Sequence, residues 1–442
     1  MEKRPDILKD ACDAWLRGAE LRRRRERCKR YTYGDQWSDT VRTARGYEPE
    51  HVPMERSGVK PLTNNLIRQL VKTVVGHYRN RAAEDGRYTR GEHADMARLN
   101  NLAELDARLL EEFLISGCAV QRIVAEDRFG NHAVWVENVD MRRFFVNAFS
   151  DPRGWDIHFI GQLHDFTFPE VVARFAGGSS TRARELRELF SRAHTGTVAF
   201  AGDPLGVCGD SVGFFRPSDP AHCRVIEVWT LDSFFSDDTS DASDTEFSVA
   251  LRWHCRWLAP DGTLLAQGPS PYAHASHPYQ IKFYPLTDGE VHSFVEDVID
   301  QQRCINRMVV LIDKMMATSA KGVLLFPIRQ MVDNMSWTEI TERWAQSDGV
   351  IPISGQGEFP RQVVSNPAAG GAYQLLELQM KLFDDISGVG EALAGRAGGT
   401  ARGVEMLQSQ IRAASIGLRD VFDTFSTFVD MRNAKALATI RA

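Results

Sequence analysis

Apolar residues recur at helical spacing through two long stretches in the last third of the chain, with short elements between them. In the first, Val291, Phe294, Val295, Val298, Ile299, Ile305, Met308, Val309, Leu311, Ile312, Met315 and Met316 keep that spacing. They predict a helix that starts after the turn Leu286-Thr287-Asp288-Gly289, and Pro327 is the first proline beyond it. About 28 residues at 1.5 Å each would span roughly 40 Å, against about 11–12 residues for an ordinary globular helix. Gly322 and the run Val323-Leu324-Leu325-Phe326 then signal a strand. A short helix over 336–346 carries Glu339 at its capping-box position, and a second strand is expected over 349–353. A second long helix over 373–386 stops in Ser387-Gly388-Val389-Gly390. The Gly-rich loop 390–400 leads into a last helix of about forty residues.

Upstream, an amphipathic helix is expected over 5–29, with Ile7, Leu8, Ala11, Ala14, Trp15 and Leu21 on one side. The stretch 34–61 is turn-rich, and Tyr33 and Trp37 beside it read as aromatic core anchors. Thr63 is placed to cap a helix over 64–81, and a third helix is expected over 92–115, ending at Ser116-Gly117. The period then changes. Strands are expected over 118–126, 132–137, 143–147 and 155–163, followed by two short helices over 169–175 and 181–193. After a loop over 196–220, strands over 224–231 and 247–258 bracket the acidic tract 232–246, which reads as a hairpin tip. Helices, then strands, then long helices make the fold α+β.

Composition narrows the class. The chain has 442 residues, 43% hydrophobic and 25% charged, with formal net charge −6, which suits a folded protein and not a basic nucleic-acid binder. Its seven cysteines are scattered and form no CxxC pair, which argues for a reducing compartment and against a zinc site or disulfide framework. Charged residues at Glu2, Lys3, Arg4 and Asp6 leave no signal-peptide pattern, and no apolar run is long enough for a membrane span. One local exception to the acidic balance is Arg22, Arg23, Arg24, Arg25, Arg27, Lys29 and Arg30. That run is either a contact for DNA or an acidic partner, or a solvated helix face with cations near the C-terminus.

Chemistry-bearing patterns are missing. The sequence lacks a Gly-x-x-x-x-Gly-Lys-Ser/Thr loop, a Gly-x-Ser-x-Gly elbow and a His-Glu-x-x-His pair. Gly395-Arg396-Ala397-Gly398-Gly399-Thr400 has no lysine and lies between helices, so a phosphate cradle is not expected. His254-Cys255 and His274 with His277 have no partner pair at metal-site spacing. Glu296, Asp297 and Asp300 are expected to pair with Arg303 and Arg307 one turn away. The expectation is a non-enzymatic chain without cofactor or metal.

The order of elements, together with three short segments, resembles the portal proteins of short-tailed bacteriophages. Tyr31-Thr32-Tyr33-Gly34-Asp35-Gln36-Trp37 is similar to an aromatic-Gly-Asp-Gln-Trp signature near the family's N-terminus. Leu62-Thr63-Asn64-Asn65-Leu66-Ile67, followed by Val74-Val75-Gly76, looks like the next helix. Asp300-Gln301-Gln302 with Asn306 resembles an Asp-x-Gln-x-x-x-Asn pattern in the first stem helix. The resemblance implies a wing over 1–287, a first stem helix over 288–320 and a clip over 321–367. A second stem helix over 368–387, a tunnel loop over 388–400 and a returning wing or crown helix over 401–442 would complete it.

It further implies a dodecameric ring at one capsid vertex, assembled in the host cytoplasm and carried in the virion. Double-stranded DNA would pass through it non-specifically, and the acidic balance suits a conduit that must not grip phosphates. Partners would be the terminase large subunit, the major capsid or scaffolding protein and a head–tail adaptor, with no membrane. Expected site residues are Glu391, Leu393 and Arg396 in the tunnel loop, and Asp300, Gln301 and Asn306 in the stem. Arg22, Arg23, Arg24, Arg25 and Lys321 are expected to touch DNA or a partner. Many portals continue into a longer crown or barrel, so either the crown here is minimal or a further part follows Ala442. The rival reading is a helical scaffold built on a coiled coil. Against it, Asp300, Gln301, Gln302 and Asn306 interrupt a sustained heptad stripe.

Overall fold

The computed structural model describes residues 5–128, 130–194, 212–236, 248–319, 323–326, 335–345, 351, 361–363, 369–389 and 416–440. The chain opens with α1 (Pro5–Arg17) and α2 (Ala19–Tyr33), so the single helix expected over 5–29 is broken at Gly18. The break lets the two helices serve different cores. Leu8, Ala11 and Trp15 of α1 pack with Phe145, Phe214 and Val228, whereas Cys28 and Tyr31 of α2 join a separate helical cluster. Within the stretch expected to be turns, β1 (Thr40–Thr43) and β2 (Gly46–Pro49) form an antiparallel ribbon, and α3 (His51–Arg56) follows.

The next helix, α4 (Leu66–Glu84), is capped by Asn65 and not by Thr63: the Asn65 side chain accepts from the Arg68 amide at 3.0 Å. The expected third helix divides into α5 (Ala94–Leu99) and α6 (Leu102–Ser116). Asn100 between them bonds the backbone of Val134 and Val136 at 2.9 Å each, and Asn101 adopts φ 49°. Gly117 ends α6 with φ +72°, and a Cβ there would sit 2.8 Å from the His292 carbonyl oxygen. Only glycine fits that corner.

The β-rich part comprises β3 (Cys118–Arg128), β4 (Asn131–Asn138), β5 (Phe144–Val146) and β6 (Phe159–Thr167). After α7 (Phe168–Phe175), α8 (Ser180–His194) and α9 (Val212–Phe215) come β7 (His222–Ser236), β8 (Ser248–Leu258), β9 (Leu264–Pro269) and β10 (Tyr279–Phe283). One antiparallel sheet has the order β5-β6-β7-β8-β9, and a second has β10-β3-β4. The β7–β8 hairpin is in register to Ser236↔Ser248, and the acidic residues 237–247 beyond it lie outside the described residues.

β11 (Pro285–Thr287) pairs with β12 (Glu290–Val291), which displaces the start of the first long helix. That helix, α10 (Glu296–Ser319), begins after Ser293, whose hydroxyl accepts from the Glu296 amide at 3.0 Å. β13 (Val323–Leu325) pairs with β14 (Arg361–Val363), and α11 (Trp337–Ala345) lies between them in sequence. The strand expected over 349–353 falls mostly outside the described residues, and Ile351 is not in a strand.

α12 (Ala369–Ser387) returns along α10, with Tyr373 donating to Met316 Sδ at 3.2 Å and Phe383 sharing a core with Ile305. The last helix, α13 (Arg419–Ile440), is preceded by a turn at residues 416–418, so a continuous forty-residue helix is not observed. Gly388 and Gly417 are neighbours, and a Cβ on Gly417 would lie in ordinary contact, 3.5 Å from the Gly388 Cα. α13 seats Phe425, Phe428 and Val429 in the helical core formed with α2, α4, α6, α10 and α12.

Candidate functional site

Midway along α10 the apolar face is interrupted by two amides one turn apart, Gln302 and Asn306, which are 0% and 1% exposed. A buried amide is costly unless every polar atom finds a partner. Here each does. Gln302 Oε1 accepts the Leu66 and Ile67 amides at 2.9 and 3.3 Å, so α10 caps two of the orphan donors of α4. Its Nε2 donates to the Asn64 carbonyl at 2.7 Å and to Asn306 Oδ1 at 3.0 Å. Asn306 Oδ1 also accepts the Asn64 amide at 3.1 Å, and its Nδ2 donates to Gln36 Oε1 at 2.6 Å. Gln36 in turn donates to the Tyr31 carbonyl at 2.8 Å and to Asn65 Oδ1 at 3.1 Å. Trp37 is buried beside it and donates to Thr63 Oγ1 at 3.0 Å. The three segments noted in the sequence therefore meet in one closed polar junction.

Ion pairs brace the junction from outside. Asp39 accepts from Arg27 at 3.0 Å, Arg30 at 3.1 Å and Tyr31 at 2.9 Å. Glu50 accepts from Arg303 at 3.1 Å and Arg307 at 2.6 Å. Burial alone would raise both carboxyl pKa values. The Tyr31 hydroxyl and Arg27 outweigh it at Asp39, and Arg307 and Arg303 at Glu50, so both carboxyls sit below their ordinary values. Arg303 and Arg307 thus pair across to Glu50, not with Glu296, Asp297 and Asp300 as expected. Glu296 lies 3.8 Å from Arg24 instead, and burial with the neighbouring Glu296 charge raises Asp297. Asp300 is exposed and Gln301 half-buried, so of the three expected stem residues only Asn306 enters the junction.

The arginine run is mostly engaged within the chain. Arg22 stacks over the Trp15 ring at 3.8 Å, and burial lowers its pKa to about 10. Arg24 donates to the Val291 carbonyl at 2.9 Å, and Arg25 grips both oxygens of Glu112 at 2.7 and 2.8 Å. Arg23 is the outward member, 77% exposed and 3.0 Å from Glu20. Tyr33 is also outward, its hydroxyl donating to Glu111 at 2.8 Å while Arg68 lies 4.6 Å over its ring. Lys321, Glu391, Leu393 and Arg396 lie outside the described residues.

Over residues 91–442 the sequence matches the family described as phage P22-like portal protein. The chain belongs to that family. The match spans most of the chain and contains Gln302 and Asn306, while their partners Gln36 and Asn64–Leu66 precede it and complete the same junction. No curated protein matches this portal chain. The family is a structural, non-enzymatic one of the phage capsid vertex. Among the described residues, no three His, Cys, Asp or Glu side chains gather as a metal site, and no helix is long and apolar enough to cross a membrane.

Two further buried sites of the portal chain had no clear sequence signal. Glu227, fully buried on β7, accepts from His164 at 2.7 Å, Trp229 at 2.8 Å and Tyr279 at 3.0 Å, with Arg122 at 3.4 Å. These residues come from β3, β6, β7 and β10, so the cluster joins the two sheets. The only hint was a glutamate within Val225-Ile226-Glu227-Val228-Trp229. The second site is the pair Arg432–Asp106, which ties α13 to α6 at 2.9 Å.

Proposed function

We propose that this portal chain forms a closed ring at a single capsid vertex, through which double-stranded DNA is packaged and ejected. The observation that carries the reading is the α10–α12 pair. Its inner face is packed, with Val298, Ile305, Met308 and Phe383 buried, yet Leu311, Met316, Leu375, Leu378 and Ile386 stay 46–55% exposed. Leu375, Leu378 and Ile386 lie on one stripe of α12. A soluble protein seldom leaves such a stripe uncovered, and in a ring each copy covers its neighbour's.

In this reading α10 and α12 are the stem helices and the residues between them the clip on which terminase and, later, adaptors dock. Residues 390–400 are the tunnel loop facing DNA, with Glu391 and Arg396 repeated around the channel as charged rings. The dodecameric state, the capsid or scaffolding contacts and the cytoplasmic assembly route belong to the same proposal. Negative-stain microscopy of the purified full chain tests it. Rings with a central hole are expected, and a monomer at every concentration would overturn it.

A further inference from the structure

A head-to-tail ring needs two different, complementary surfaces on one chain. Among the described residues, the β1–β2 ribbon pairs with no other strand. Two-stranded ribbons are marginal alone. This one is held at its base, where the Glu50 amide donates to the Asp39 carbonyl at 3.0 Å and both side chains carry the ion pairs described above. The base is fixed and the tip is bare. Tyr47 is 79% exposed, and Arg42 and Arg45 are exposed beside it. Among the described residues, no core cluster includes this tip.

The complementary surface is a groove of about 590 Å³ beside the α1–α2 elbow. Its floor is apolar and aromatic, with Phe144, Phe149, Phe283 and Leu286. Exposed carboxylates stand around its mouth: Asp288, Glu290 beside His292, Glu20 paired with Arg23, and Asp156, which accepts the Ser150 and Asp151 amides. Of the three arginines that line it, Arg22 is turned to Trp15 and Arg24 to the Val291 carbonyl, while Arg17 is exposed. An aromatic plug flanked by arginines matches an aromatic groove whose Asp288–Glu290 edge is acidic. The groove lies at the first turns of α2, whereas the ribbon is tied to Arg27, Arg30 and Tyr31 near the other end. From Leu21 to Tyr31 is about 15 Å of helix, so plug and socket occupy opposite ends of the same element.

We infer that the β1–β2 ribbon is a docking arm whose Tyr47–Arg45 tip seats in the elbow groove of a second copy of this chain. The inference rests on the ring reading, and one experiment separates the two. Full-length chain carrying Tyr47→Cys with Ala148→Cys, both at exposed positions, is oxidised and compared with wild type and each single variant on non-reducing gels. A covalent ladder beyond the dimer is expected in the double variant alone and should collapse on reduction. Tyr47→Ala with Arg45→Glu should also shift assembly toward monomer in size exclusion with light scattering. Wild-type rings without a ladder, or normal assembly of that charge-reversed variant, would overturn the arm and leave the ring standing. A wild-type chain that is monomeric throughout removes both.

Discussion

Arg432 and Asp106, 326 residues apart, form a bidentate ion pair at 3.0 and 2.9 Å with both side chains fully buried. Gln121 accepts from the same guanidinium at 3.1 Å, and Tyr88 donates to the same carboxylate at 3.0 Å. The pair fixes the register of α13 against α6 and β3. Asp106→Ala should therefore cost about 3–5 kcal/mol, because it strands a buried charge. Asp106→Leu together with Arg432→Met should recover most of that loss. Urea denaturation followed by circular dichroism reads both, and a wild-type midpoint for Asp106→Ala would remove the anchoring role.

Gln302→Ala should destabilise the fold by about 1–3 kcal/mol, since it strips the Ile67 amide of its partner and leaves the Leu66 amide and the Asn64 carbonyl with only their bond to each other. Gln301→Ala, one residue away and outside the junction, should change stability by less than about 0.5 kcal/mol. Equal effects of the two would mean that the junction is not what positions α4.

Most helices and strands were legible because periodicity is local: the strands from Cys118 to Leu258 and the two long helices fall close to their expected places. Their ends were not, because tertiary partners decide them. α10 starts at Glu296, after Ser293, because Glu290–Val291 pairs with β11, and the first amide of α4 is also held by a glutamine 236 residues away. The same holds for the site. Each of its three segments was visible separately, but nothing in a linear pattern says that Gln36, Asn64 and Gln302 meet. The Arg22–Arg25 run looked like a charged surface because its partners, Glu112 above all, lie far along the chain. Gln302 could have been picked over Gln301 by its place on the Val298–Ile305 face.

Gly117→Ala should cost about 1–3 kcal/mol, because the position needs positive φ and a Cβ would press on the His292 carbonyl. Gly130→Ala, also at positive φ but with open space around its Cβ, isolates the backbone contribution and should cost less. If both lose the same amount in thermal unfolding, the close approach at His292 is not a constraint.

The Glu227 cluster sets an acid limit. Burial would raise the Glu227 carboxyl, but Arg122 and the His164 hydrogen bond outweigh it and hold its pKa at about 2 against 4.5 for the free group. A depressed carboxyl stabilises the fold fully above about pH 4.5, and that stability is lost as pH falls toward 2. His164, kept below its ordinary value by burial, adds to the loss on acidification. The gap in stability between wild type and Glu227→Gln should thus be largest near neutrality and shrink between pH 4.5 and 2. Parallel stability curves over that range would show that the carboxylate charge is not what the cluster requires.

The tunnel-loop role proposed for residues 390–400 is tested by substitution. Their sequence holds Gly390, Gly395, Gly398 and Gly399, which permit unusual backbone angles. Gly388 and Gly417, on either side of the segment, lie next to each other. A glycine-rich segment suits movement against passing DNA, whereas a plain connector would tolerate substitution. In a ring, Arg396 would meet phosphates transiently while Glu391 keeps the lining from binding DNA firmly. Arg396→Ala and Leu393→Ala should each leave ring formation and terminase binding unchanged but yield fewer filled heads, or heads that leak DNA. Packaging and retention at the wild-type level in both variants would reduce the loop to a connector. Loss of rings in either would show that the loop acts in assembly instead.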